Sequence, residues 1–351
     1  MSRIFVTGAN GFIGSHLIEH LLRRGDEVIG LIRVGSDVRS LEPLGKTYGD
    51  RLRLVVGDLR DRVALELALD DAEYIYHLGA VLMATSSRAF RETNVDGTRN
   101  LLQAVANRSR GRVRRFLFAS AQAAAGPSPD GRPLDESAPL RPVSAYGRSK
   151  ADAEAVAWEF SDRVPITIVR PVAVYGEREQ DISRGTFPMV KAGLAPKLGF
   201  AAKTASVIYV GDVVTGMIAA AESRQAVGKT YFLADPHPYP QNELVDAMAR
   251  AMGRRIRLPV TVPHLMLSVI ATFAEFGHRF DHKRPMLTRD KVRELKQRWW
   301  VVTPAAAIRD LGWSPQVSLS DGMARAVAEW SQRRANPPST ERGQRRDRWA
   351  C

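Results

Sequence analysis

Short β-branched and aromatic runs alternate with helical patterns through the first half of the chain. Ile4 to Thr7, Val28 to Ile32, Leu52 to Val56, Tyr74 to His77 and Phe116 to Phe118 read as strands, while Ser15 to Arg24 and Asn94 to Asn107 carry the spacing of helices. After Tyr146 a helix runs to about Asp162, followed by the strand Ile166 to Arg170. Alternation of this kind predicts an α/β fold, a doubly wound parallel sheet with helices on both faces. Beyond Gly176 the rhythm breaks into Pro- and Gly-bearing loops, a strand at Val207 to Val210, a helix to about Glu222 and a helical remainder. The pattern divides the chain into an open sheet domain over 1–176, to which 206–235 return, and a smaller, mostly helical part over 177–205 and 236–334. Residues 335–351 read as a disordered basic tail.

Composition narrows the class. Of 351 residues 44% are hydrophobic and 25% charged, which suits a globular chain and excludes disorder as the whole account. The single cysteine, Cys351, cannot form an intrachain disulfide or a cysteine metal cluster, and it fits a reducing compartment. The formal charge of +13 raises the question of nucleic acid. Part of it sits in the tail, where Arg333 to Arg348 hold six arginines against Glu341 and Asp347. No zinc finger, helix-turn-helix or interleaved aromatic and basic run accompanies the rest, so nucleic-acid binding is not expected. The chain enters its first strand without a basic-then-apolar leader, and the apolar stretch Leu265 to Phe273 is too short to span a bilayer. A cytoplasmic location without a transmembrane segment is therefore the expectation.

The first strand runs into Thr7-Gly8-Ala9-Asn10-Gly11-Phe12-Ile13-Gly14, with glycines spaced G-x-x-G-x-x-G. In a first βα turn the first glycine permits the sharp bend, the second lets backbone approach a pyrophosphate, and the third packs the helix on the sheet. The helix N-terminus adds N–H donors and positive dipole. A Rossmann-type dinucleotide site follows, with Gly8, Asn10, Gly11, Phe12, Ile13 and Gly14 as candidate contacts. At the end of the second strand the acid that would bind the ribose of NAD is replaced by Ile32, and Arg33 is available for a 2′-phosphate, which favours NADP over NAD. The alternative is a solvated Arg33 with Asp37 reaching the ribose. Asp58 follows the third strand, where it could accept from an adenine amino group while Leu59 covers the ring. After the fourth strand, Leu78, Gly79 and Ala80 let backbone lie close to the cofactor.

Tyr146 and Lys150 stand four residues apart on one helix face. A phenol titrates near 10, too high for a base at neutral pH, and a neighbouring ammonium would lower it. Tyr146 is thus a candidate acid/base and Lys150 its tuning cation.

Together with Gly57-Asp58-Leu59, His77 to Ala80, Asn94 to Leu102, Arg170 to Gly176, Val210 to Val213 and Leu311 to Pro315, these segments resemble the extended short-chain dehydrogenase/reductases over about residues 3 to 330. The resemblance implies an NAD(P)-dependent enzyme in which Tyr146 and Lys150 are catalytic, Asn94 belongs to the cofactor site, and Pro171 and Val172 lie along the nicotinamide. It also implies a homodimer through Asn94 to Asn107 and Gly147 to Asp162. One position departs from the pattern: the Ser or Thr expected about 25 residues before the tyrosine is Ala121 by ungapped counting. Losing such a donor costs roughly 10²–10³ in rate, unless Ser120 or Gln122 supplies it.

The substrate class is read from two departures. Relatives acting on nucleotide sugars carry an Arg-Asp-Phe-like run before the strand at Ile208, and this chain has Ala205-Ser206-Val207 there, with Lys203 nearby. The stretch from Val260 to Phe276 is apolar at helical spacing, as the buried core of the lid would be; a lipophilic substrate or a peripheral membrane contact is the other reading. Both favour the subgroup resembling 3β-hydroxysteroid dehydrogenases and dihydroflavonol reductases over sugar epimerases. Two alternatives stay open: a nucleotide-sugar epimerase or dehydratase, and a non-catalytic NADP-binding regulator.

Overall fold

A computed structural model describes residues 1–69, 71–84, 86–108, 112–281 and 287–335. The expected basic tail lies outside the described residues.

The chain opens with β1 (Arg3–Thr7), α1 (Phe12–Arg23), β2 (Glu27–Ile32), α2 (Glu42–Tyr48), β3 (Leu52–Val56), α3 (Arg62–Ala68) and β4 (Tyr74–His77). A short helix α4 (Ser87–Phe90) and a wide helical turn at 91–96 precede α5 (Gly97–Arg108). Then come β5 (Arg115–Ala119), α6 (Gln122–Ala125), α7 (Ala145–Trp158) and β6 (Ile166–Pro171). Next in order are β7 (Ala173–Tyr175), α8 (Asp181–Lys191), β8 (Leu194–Leu198), β9 (Thr204–Ala205), β10 (Val207–Tyr209), α9 (Val210–Glu222) and β11 (Thr230–Leu233). The chain continues through β12 (Tyr239–Pro240), α10 (Gln241–Ala251), β13 (Leu258–Val262), α11 (His264–Asp281), α12 (Arg289–Lys296), β14 (Trp299–Trp300), α13 (Ala305–Leu311) and α14 (Leu319–Ala335).

The main sheet has the order β11-β6-β5-β4-β1-β2-β3, with every pair parallel. The order reverses between β1 and β4. At such a switch point the loops leaving the two strands diverge and open a crevice above their C-terminal ends. Strand alternation builds a core on each face. Ile4, Val6, Tyr76 and Leu117 point toward α1 and α9, while Phe5, Ile75, Phe116 and Phe118 point toward α3, α5 and α7. Both layers are shielded from solvent, with Phe5, Tyr76 and Phe116 fully buried.

The remaining elements form their own core from Tyr175, Phe187, Val190, Tyr209, Met248, Met323 and Trp330. This part is less purely helical than expected, because β8 pairs with β13 and the short strands β12, β9 and β14 form a second sheet. The reading of Val260 to Phe276 as buried lid core is corrected for α11: among its described side chains Leu267 and Ala271 pack inward, while Leu265 is 78% and Phe273 72% exposed. The helical period was right, but the wide apolar stripe faces out and a narrow seam faces in.

Candidate functional site

The glycine turn is shaped by backbone sterics. Gly8 sits at φ +69, a left-handed conformation that side chains rarely adopt. A Cβ on Gly14 would lie 2.1 Å from the Gly8 carbonyl oxygen, so the first turn of α1 can cross the bend only without a side chain there. Gly11 caps α1 with no side-chain hydrogen bond, which leaves the first helical N–H groups facing outward for an anion. Phe12 and Ile13 lean against the lid core. These residues fit a dinucleotide pyrophosphate.

The crevice continues into a cleft of about 830 Å³ lined by Asn10, Arg33, Ser36, Asp37, Asp58 and Arg60, among others. Asp58 is forked by Arg60 at 2.9 and 3.0 Å, and Asp37 is held by Arg39. Both carboxyl groups are pulled below their usual range, first by these guanidinium hydrogen bonds. Asn10 Nδ2 donates to the Asp37 carbonyl at 3.2 Å. Arg33 is exposed and lines the cleft. Leu59 is buried in the core beside Gly79 and Gly97.

Behind the turn runs a buried polar chain. The Gly79 N–H donates to Thr7 Oγ1 at 2.9 Å, and that hydroxyl lies 2.7 Å from His77 Nδ1. His77 Nε2 is 2.8 Å from Thr98 Oγ1, whose hydroxyl donates to the Asn94 carbonyl at 2.6 Å. Because Thr98 spends its proton on Asn94, the imidazole carries its hydrogen on Nε2 and accepts from Thr7 at Nδ1. Burial pushes His77 down to about 3, with Lys150 contributing in the same direction. Asn94 spends its amide inside the fold, accepting from Val81 N at 2.8 Å and donating to Val81 O at 3.0 Å and Ser149 Oγ at 2.9 Å. Ser149 in turn donates to the Tyr146 carbonyl at 2.7 Å. Hydrogen bonds therefore link the turn after β4 to α7. Leu78 and Ala80 flank Gly79 in that turn, half-buried.

Tyr146 and Lys150 occupy the first two turns of α7. Lys150 is buried, donates to the Ala119 carbonyl at 2.6 Å and stands 4.3 Å from the centre of the Phe118 ring. Burial draws its ammonium down to about 7, against the pull of Glu154. The phenol of Tyr146, near the Phe90 ring, is pushed up, first by burial and then by the charge of Glu294. The Lys150 ammonium is directed at a strand-end carbonyl, and desolvation dominates at the phenol. At neutral pH the phenol keeps its proton.

Sequence reasoning missed how α7 is started. Asp290 of α12 accepts from the backbone N–H of Ala145 at 2.7 Å and of Tyr146 at 3.1 Å, and Glu294 accepts from the Ser144 hydroxyl at 2.7 Å. No local pattern marks partners about 145 positions away. Beside β5, the Ser120 hydroxyl and the Gln122 amide nitrogen are buried without a hydrogen-bond partner. Such polar atoms are costly unless something satisfies them. Pro171 and Val172 are buried at the end of β6, with Val172 N donating to Leu233 O at 3.3 Å. Lys203 is committed elsewhere, capping α12 through the carbonyls of Leu295 and Gln297. Among the described residues no cluster of His, Cys, Asp and Glu could hold a metal, and no helix is long and apolar enough to cross a membrane.

A glycine bend at a sheet switch point, with a Tyr–Lys helix beside it, defines a dinucleotide-dependent class of enzyme. The pattern of the NAD dependent epimerase/dehydratase family matches residues 4–234, and the chain belongs to that family. It is 26% identical to a 3-beta-hydroxysteroid dehydrogenase of Mycolicibacterium neoaurum, covering 93% of this chain and 91% of that protein. To a 2-alkyl-3-oxoalkanoate reductase of Stenotrophomonas maltophilia it is 27% identical, covering 93% and 98%. The crystal structure of UDP-glucuronic acid 4-epimerase from Bacillus cereus in complex with NAD superposes with a TM-score of 0.74 at 22% identity, covering 94% and 99%, a likeness of fold.

Proposed function

We propose that the chain is an NADP-preferring oxidoreductase that interconverts a ketone and an alcohol on a small lipophilic substrate. When bound, the nicotinamide supplies the hydride acceptor or donor. Gly8, Asn10, Gly11, Phe12, Ile13 and Gly14 would hold the pyrophosphate, Arg33 the 2′-phosphate, and Asp58, Leu59, Leu78, Gly79, Ala80, Asn94, Pro171 and Val172 would bound the rest of the path. Tyr146 exchanges the proton at the substrate oxygen. Its raised titration keeps the phenol protonated at neutral pH, which suits giving a proton to a ketone oxygen. Lys150 orients the nicotinamide ribose, and its charge falls away as pH rises through about 7. Ser120 or Gln122, each with an unpartnered buried polar atom, takes the oxygen-holding role that Ala121 cannot.

The observation that carries this reading is the pairing of Tyr146 and Lys150 on α7 with the bare N-terminus of α1. Preference for NADP rests on Arg33 lining the cleft where Ile32 removes the usual acid. The resemblance to a steroid dehydrogenase and an oxoalkanoate reductase supports a lipophilic ketone. A nucleotide-sugar epimerase is the second reading, favoured by the likeness to the Bacillus cereus structure; the commitment of Lys203 to α12 counts against it, because a substrate diphosphate then lacks that cation.

The test is Tyr146→Phe. Turnover of ketones with NADPH is expected to fall by at least about 10²-fold, with NADP affinity nearly unchanged. Undiminished biological function in Tyr146→Phe would instead assign the chain as a cofactor-binding regulator. A thermal-shift comparison of NADP, NAD, sterol ketones and UDP-sugars separates the two enzymatic readings, since stabilisation by UDP-sugars alone would favour the epimerase.

A further inference from the structure

Helix α11 presents an apolar face that none of the described residues covers. Leu265, Met266, Val269, Ile270 and Phe273 are all exposed, between 46% and 78%. Their positions recur at i, i+4 and i+8 and at i+1 and i+5, so they form one continuous stripe. Phe200, 77% exposed, extends the stripe at the helix N-terminus, because neighbouring Gly199 packs against the His264 ring. A contiguous outward apolar stripe on a folded chain marks an interaction surface. The opposite seam, Leu267 and Ala271 against Val292, anchors α11 to α12 and holds the stripe outward.

The charges around the stripe indicate the partner. Lys197 on β8 is exposed and pairs in register with Thr261, two residues before the proline that opens α11. The basicity of His264 is lowered first by burial and then by the nearby charges of Lys203 and Lys296. Arg254, Arg255 and Arg257 are exposed at the start of β13, one strand length from the helix. Among the described residues Lys197, Lys296 and these arginines make no ion pair. An apolar stripe flanked by unpaired cations complements an anionic bilayer, where apolar side chains enter the acyl boundary and basic groups meet phosphates. At 18 residues α11 is about 27 Å long, suited to lying in the interface plane.

We infer that α11, with Phe200 and the cations beside it, is a docking surface for an anionic lipid membrane. The surface is independent of the proposed activity, because binding to lipid requires no turnover. The full chain is mixed with vesicles of phosphatidylcholine and phosphatidylglycerol at 3:1, and separately with pure phosphatidylcholine, and bound protein is measured by flotation. Binding to the anionic vesicles is expected, at least tenfold weaker on pure phosphatidylcholine or at 0.5 M salt. Leu265→Gln with Phe273→Gln should weaken partitioning by at least about tenfold, and Lys197→Glu by about fivefold or more, with thermal unfolding and NADP binding unchanged. The inference is overturned if the unmodified chain binds neither vesicle, if the double variant binds as well as the unmodified chain, or if the stripe instead holds two copies together, seen as a dimer that the double variant converts to monomer.

Discussion

His77 offers a stability test whose sign and size follow from its surroundings. Its imidazole is neutral between Thr7 and Thr98 and titrates at about 3 in the folded chain, against an ordinary value of 6.5. The unfolded chain therefore takes up this proton first as pH falls. The contribution of His77 is whole above about 6.5 and is lost progressively down to about 3. Each pH unit within the window costs up to about 1.4 kcal/mol, so the loss reaches about 2 kcal/mol by pH 5. His77→Leu removes the titration and leaves two buried hydroxyls short of a partner, a cost of about 1–3 kcal/mol that does not vary with pH. Urea unfolding of both proteins at pH 7 and pH 5, followed by circular dichroism, isolates the effect, because other titrating groups cancel in the difference. The gap between unmodified chain and variant should narrow by about 2 kcal/mol on going to pH 5. If the two proteins lose stability in parallel, His77 is not held neutral and the assigned tautomer is wrong.

Other outcomes can be checked with the same protein. Asp290→Ala removes the acceptor of two N-terminal N–H groups of α7, and should cost about 1–2 kcal/mol and lower kcat more than it raises KM, read by urea unfolding and steady-state kinetics. Gly14→Ala places a Cβ 2.1 Å from the Gly8 oxygen; thermal shift should register a lower unfolding temperature and no response to NADP. Arg33→Ala should weaken NADP by roughly tenfold or more and leave NAD nearly unchanged, as measured by calorimetric titration. Equal loss for both dinucleotides would remove Arg33 from the 2′-phosphate role.

The sheet was legible because its inner parallel strands are buried on both faces, so runs such as Ile4 to Thr7 and Tyr74 to His77 stand out between turn residues. The glycine turn was legible because its spacing is a steric requirement. Other features left no such trace. Strands β8, β9 and β12 to β14 are short, Pro-bearing or only two residues long, and carry no period. An amphipathic stripe has the same spacing whether it turns inward or outward, so α11 could be placed in the chain but not oriented. The lowered titration of Lys150 depends on burial, which helical spacing alone does not reveal.

The wiring of α7 to the far end of the chain bears on how this protein can be divided. A fragment ending near Gly176 would retain the glycine bend and six strands of the sheet, yet the amides of Ala145 and Tyr146 would lose Asp290 and the Ser144 hydroxyl would lose Glu294, leaving Ser144's own cap on Gly147. A minimal nucleotide-binding piece cut from this sequence would therefore be expected to grip its ligand while its reactive residue frays, and any chimera must inherit the distal acidic pair along with the tyrosine it seats.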